Sequence, residues 1–107
     1  MISGFMQKYE QALKSHKKFD LTELAEVQAE NVRVMRAVKG WSRTEVNIEY
    51  IAVCGSELSE TALRRIETGA RPMRASEACV LAEVFGVDPV KFMTVRLLPE
   101  FRGEGER

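Results

Sequence analysis

Apolar residues along this chain recur with the spacing of helices rather than of strands. Ala78, Leu81, Ala82 and Phe85 fall at the i, i+3, i+4, i+7 positions of one buried stripe, and Ala62, Leu63 and Ile66 repeat the pattern over a shorter span. Phe5, Tyr9, Ala12 and Leu13 line one face of a further helix near the N-terminus, which ends in the basic cluster Lys14, His16, Lys17 and Lys18. No segment alternates convincingly with period two, so strands are not expected.

The helix boundaries are written in cap residues. Ser42-Arg43-Thr44-Glu45 has the form of a capping box, flanked by Trp41 and Val46 as a hydrophobic staple, a position that favours packing of the indole on the core. Asp20-Leu21-Thr22-Glu23 repeats the form with Phe19 and Leu24, and Ser59 repeats it with Leu58 and Leu63 but without the acidic half. Gly40, Gly69 and Gly86 each follow a periodic segment, where a left-handed closing residue is commonly needed. Asp88-Pro89 opens a last helix, with aspartate as cap and proline in the first turn. These signals predict helices over 21–39, 43–53, 60–68, 76–85 and 89–95, after the N-terminal helix. The expected fold is all-α, a five- to six-helix bundle. Its expected divisions are an N-terminal helical extension over 1–20, a helical domain over 21–95 and a frayed tail over 96–107.

Composition narrows the chemistry more than it directs it. The 107 residues suffice for one core and not for two ordinary domains. Sixteen basic and sixteen acidic residues cancel, so net charge alone is no argument for a polyanionic partner. The distribution is uneven, however: residues 31–74 carry eight Arg or Lys against five acids, between two acidic flanks. Cys54 and Cys79 lack the close spacing of a zinc or redox pair and read as reduced thiols, Cys79 buried beside its helix stripe and Cys54 nearer the surface. One histidine, His16, gives no metal cluster and no base for a nucleophile, and a phosphate-binding Gly-rich loop is absent. No enzyme activity, metal or cofactor is expected. Without a membrane-length apolar run or a signal-peptide core, the expected location is the cytoplasm.

The informative constellation is the pair of short helices 43–53 and 60–68, joined by the polar connection Gly55-Ser56-Glu57 and packed on the helix before them. With Ala62, Leu63 and Ile66 turned inward, Glu60, Thr61, Arg64, Arg65 and Thr68 point outward. Such side chains hydrogen-bond base edges and phosphates: Arg with guanine, Glu with the cytosine amino group, Thr with a phosphate or a thymine methyl. In a helix-turn-helix the first helix lies across the phosphate backbone and the second enters the major groove. Short amphipathic helices with exposed Arg and Glu also occur on any helical bundle and face only water.

From Asn31 to Met93, about 60% of the chain, the sequence resembles the Cro/C1-type helix-turn-helix family, also called the XRE family. The resemblance rests on Gly40-Trp41-Ser42, on Leu58 to Gly69 with its Ile66-Glu67-Thr68-Gly69 ending, and on Leu81-Ala82-Glu83-Val84-Phe85-Gly86-Val87. It is closest in wording to small actinobacterial and phage regulators of that family. It implies a lambda-repressor-like DNA-binding fold, a transcriptional regulator of the repressor type, and helix 60–68 as the recognition helix. It further implies an ion pair between Arg36 and Glu67, a phosphate contact at Arg43, and base-reading positions at Glu60, Thr61 and Arg65. Ser42, Ser59, Arg64, Thr68 and Arg71 complete the candidate DNA-binding set. The sequence departs from the family pattern at Val46-Asn47 and by about six extra residues before Ser59, which leaves residues 51–58 the least defined part.

A single small module buries too little surface for tight specific binding, so the expected partner is a palindromic double-stranded operator bound by a homodimer. The candidate dimer surfaces are the N-terminal helix and the segment from Phe92 to Phe101, the former packing otherwise on the chain's own core. No separate ligand-binding domain is present in the sequence, so no small-molecule ligand is expected, nor a membrane. The competing expectation is an antitoxin-like or adaptor module that uses the same fold to bind a partner protein. It draws on the neutral charge and on an acidic residue, Glu60, at a groove-facing position.

Overall fold

The computed structural model describes residues 3–15 and 20–98. Six helices follow one another: α1 (Gly4–Ser15), α2 (Leu21–Lys39), α3 (Arg43–Cys54), α4 (Glu60–Glu67), α5 (Ala75–Phe85) and α6 (Pro89–Thr94), with no strand among the described residues. The fold is the all-helical bundle that the periodicity predicts.

The cap signals act as their chemistry requires. Ser42 accepts from the Glu45 amide at 3.1 Å while the Glu45 carboxylate accepts from the Ser42 amide at 3.2 Å, so two orphan donors of α3 are satisfied reciprocally. Asp20 accepts from the Thr22 and Glu23 amides, and Asp88 from the Lys91 amide at 2.9 Å. Phe19, the other half of the Asp20 staple, lies outside the described residues, as do His16, Lys17 and Lys18. Helix α5 starts at Ala75, one residue before the expected boundary, because the Glu77 carboxylate caps the Arg74 amide at 2.8 Å.

The core gathers Val32 and Met35 of α2, Val46 and Tyr50 of α3, Leu63 and Ile66 of α4, the Ala78, Leu81, Ala82 and Phe85 stripe of α5, and Phe92 of α6. Trp41 stacks on Phe85 at 6.3 Å between centroids, and Phe85 tilts against Phe92 at 5.8 Å, so the staple position does place the indole on the core. Lys39 lies 5.8 Å above the indole and covers its outer side.

Two buried amides tie the last helix to the first long one. Asn31 donates to the Phe92 and Val95 carbonyls at 2.9 and 2.7 Å and accepts from the Leu97 amide at 2.9 Å. Gln28 donates to the Met93 carbonyl at 3.2 Å and accepts from the Met73 amide at 2.7 Å. Both occupy the α2 stripe that also carries Ala25, Val32 and Met35, so each puts a polar group inside and must satisfy it there. No buried side-chain polar atom among the described residues lacks a partner.

Three expectations are corrected. Cys79 is exposed, since one residue past Ala78 turns it about 100° away from the stripe. The segment after α6 is no frayed tail at its start: Leu97 is buried and Arg96 pairs with Glu30, and Phe92 is fully buried, while Val95 stays exposed and residues 99–101 of the candidate dimer surface lie outside the described residues. Helix α1 does not pack on the core, because every residue from 3 to 14 is exposed. No helix among the described residues is long and apolar enough to cross a membrane.

Candidate nucleic-acid interface

Helix α4 is eight residues long, about 12 Å at the helical rise per residue, and its two sides differ sharply. Leu63 and Ile66 are fully buried beneath it, while Glu60, Thr61, Arg64, Arg65 and Thr68 are exposed on the opposite side. Thr61, Arg65 and Thr68 follow at four- and three-residue intervals and share one face, with Arg64 and Glu60 beside them. Glu60 and Arg64 approach to 3.7 Å, but with side chains 57% and 60% exposed this pair adds little stability. Ala62, expected inside, is half-buried at the edge of the core.

The orientation of α4 is set at its end. The Glu67 carboxylate is 2% exposed and meets two arginines: Arg36 Nε at 2.5 Å, with Arg36 Nη2 at 3.2 Å from the other oxygen, and Arg43 Nε at 3.0 Å. Arg36 Nη1 also donates to the Trp41 carbonyl at 2.8 Å, and Arg33 Nη1 to the Glu67 carbonyl at 2.6 Å. One carboxylate therefore joins α2, the start of α3 and the end of α4. The Arg36–Glu67 pair is present as the resemblance implies, and Arg43 enlarges it to a triad. Arg43 sits in the first turn of α3 with 31% of its side chain exposed, next to the capped Ser42.

The start of α4 is held just as firmly. Ser59 caps the helix, its Oγ accepting from the Ala62 amide at 3.1 Å, yet its backbone lies at φ 73° and ψ 146°. It is the one non-glycine residue with positive φ among the described residues, a conformation costing about 1–3 kcal/mol unless its surroundings impose it. The imposing groups are visible. Gly55, at φ 76°, closes α3 with its amide 2.7 Å from the Ile51 carbonyl. Asn47 Oδ1 accepts from the Leu58 amide at 3.1 Å, Asn47 Nδ2 donates to Glu57 at 3.4 Å, and Leu58 is buried in the core. Asn47, on α3, thereby fastens the link that leads into α4. Residues 51–54 complete α3, so the connection itself is only 55–59.

Arg71, read from the sequence as a DNA contact, is turned to another task. Its Nη1 and Nη2 donate to the two Glu77 oxygens at 2.9 and 2.8 Å, and Nη1 also to the Pro72 carbonyl at 3.0 Å. The Arg71 hydrogen bonds hold the Glu77 carboxyl below the usual carboxylate range against the opposing effect of burial. Burial also raises the neighbouring Tyr50 phenol. Arg71 thus belongs to the α3–α5 seam rather than to the exposed face of α4.

Beside that face runs an open groove of about 240 Å³ lined by Thr44, Asn47, Ile48, Ile51, Glu57 and Glu60. Ile48 and Ile51 remain 58% and 43% exposed. Sequence reading missed Arg33, Asn47, Gln28, Asn31 and Glu77. Gln28 and Asn31 were detectable as polar residues inside an apolar helix stripe, but their carbonyl partners lie more than sixty residues away in sequence. A scan against protein-family models, a search of curated proteins and a search of solved structures gave no significant match to this chain.

Proposed function

We propose that this chain is a sequence-specific DNA-binding transcriptional regulator of the helix-turn-helix repressor type, acting in the cytoplasm as a homodimer. The observation that carries this reading is the outer face of α4, where Thr61, Arg64, Arg65 and Thr68 stand exposed on a helix whose orientation is locked at both ends. A helix, about 10–12 Å across with its side chains, fits a major groove about 12 Å wide, and a rigidly mounted Arg65 suits the bidentate hydrogen bonds a guanine offers. Arg43 stands beside the N-terminal amides of α3, where a backbone phosphate would be met by both charge and dipole. With Glu67 neutralised by Arg36 and Arg43, the end of α4 presents little net negative charge to a phosphate.

One observation favours a second reading, the partner-protein adaptor: the groove beside α4 is apolar at Ile48 and Ile51 and edged by Glu57 and Glu60, which repel phosphate. Binding selection on random DNA duplexes at moderate salt separates the two. The DNA reading expects an enriched palindromic motif with half-sites one turn, about 34 Å, apart. It also expects Arg65→Ala to relax preference at one base position by about 1–3 kcal/mol, and Arg43→Ala to weaken all sequences alike with a shallower salt dependence. If no motif is enriched, the adaptor reading takes its place.

A further inference from the structure

Helix α1 turns an apolar stripe to solvent. Phe5 is 74% exposed, Met6 45%, Tyr9 55% and Leu13 62%, and with Ala12 they all fall within about 60° of a line through Tyr9 at 100° per residue. Two physical points argue that this stripe is covered in the working protein. A helix of twelve residues is at the length where isolated helices are marginal in water, and the cap from Ser3 Oγ to the Met6 amide supplies only about 1 kcal/mol. Large apolar side chains contiguous on one face also mark interaction surfaces rather than solvated ones.

The polar flanks say what covers it. Lys8 and Glu10 stand about 100° to either side of Tyr9, one cation and one anion bordering the same stripe. In a parallel pair of such helices related by a twofold axis along their length, the left flank of each meets the right flank of the other. Lys8 of each copy then faces Glu10 of the second copy. An antiparallel pair with its twofold at Tyr9, the register that overlaps the whole stripe, would instead set Lys8 against Lys8 and Glu10 against Glu10, which is repulsive on both sides.

We infer that α1 is a dimerisation helix that pairs in parallel with α1 of a second copy of this chain, along a seam of Phe5, Met6, Tyr9 and Ala12 centred near Tyr9 and bordered by Lys8–Glu10 ion pairs. This deepens the homodimer half of the reading above and is independent of its DNA contacts. The two aromatic rings expose roughly 250 Å² per copy, so the seam falls short of the roughly 1,200 Å² of a standard interface and the dimer is a weak one. A weak dimer is useful to a regulator that assembles on its operator, where both half-sites raise the local concentration.

The test is sedimentation velocity of the full chain without DNA, over roughly a hundredfold range of concentration. A concentration-dependent dimer is expected that Tyr9→Asp disperses. Lys8→Glu and Glu10→Lys should each weaken the dimer about fivefold, since each replaces attraction by repulsion on both sides. The double variant carrying both reversals should return to within about twofold of the original, as its ion pairs are re-formed in swapped order. Because these side chains are exposed, circular dichroism and melting of the remaining helices should not change, which separates loss of pairing from loss of fold. A chain that stays monomeric throughout, a dimer indifferent to Tyr9→Asp, or single reversals without effect would each overturn the pairing. A parallel dimer that enriches no DNA motif removes the DNA reading alone, and a monomer that enriches one removes only the pairing.

Discussion

Replacing Glu67 by glutamine changes one atom and removes the charge that Arg36 and Arg43 share. Removing one partner of a buried ion pair typically costs about 3–5 kcal/mol, because the remaining charge is left desolvated. Here the two arginines keep 24% and 31% of their side-chain surface and recover part of their hydration, which lowers the expected cost to about 2–3 kcal/mol. The glutamine amide would also turn two donors toward guanidinium donors. Glu60 supplies the control: it is on the same helix, with a side chain 57% exposed and an arginine at 3.7 Å, so Glu60→Gln should cost less than about 0.5 kcal/mol. Urea unfolding followed by far-UV circular dichroism measures both, and the Glu67 variant should melt about 10 °C or more below the parent. If binding to DNA is as proposed, the same substitution removes one negative charge near the phosphates and raises the local net charge by one, so non-specific affinity should rise while stability falls. Equal stability losses in the two variants would refute the argument that burial, rather than ion-pair count, decides the value of Glu67.

Three further outcomes are expected. Asn31→Leu leaves the Phe92 and Val95 carbonyls and the Leu97 amide without their partner, and should cost about 3–5 kcal/mol in urea unfolding, with hydrogen exchange accelerated first in α6. Acid should destabilise the fold through Glu77: its folded pKa lies below the ordinary value of 4.5, so its contribution is present above that pH and is lost as pH falls through the lower folded value. Arg71→Gln should flatten that acid limb of the stability curve, and an unchanged limb would show that Glu77 owes its shift to something else. At Ser59, alanine loses the cap and keeps the positive φ, whereas glycine loses the cap and relieves the backbone; thermal melts should rank glycine above alanine by about 1–2 kcal/mol.

Helix number, helix type and nearly every boundary could be read from the chain alone, because caps and stripes are local. Ser42 with Glu45, Asp88 with Pro89, and the glycines at 40, 69 and 86 each act within four residues of themselves, and all three glycines are left-handed in the fold. The outward set on α4 was equally legible, since a single apolar triad fixes which way an eight-residue helix must face. What the tertiary structure alone decided is the pairing of groups distant in sequence: Arg43 with Glu67, Arg71 with Glu77, Asn47 with Leu58, Asn31 with the end of α6. An arginine on an exposed-looking segment has the same sequence signature whether it meets a phosphate or a carboxylate, which is why the Glu77 partner of Arg71 and the Glu67 partner of Arg43 cannot be read from the chain. The physical reason is that a charged side chain takes its partner from whichever element packing brings within about 4 Å, and periodicity holds no information on that.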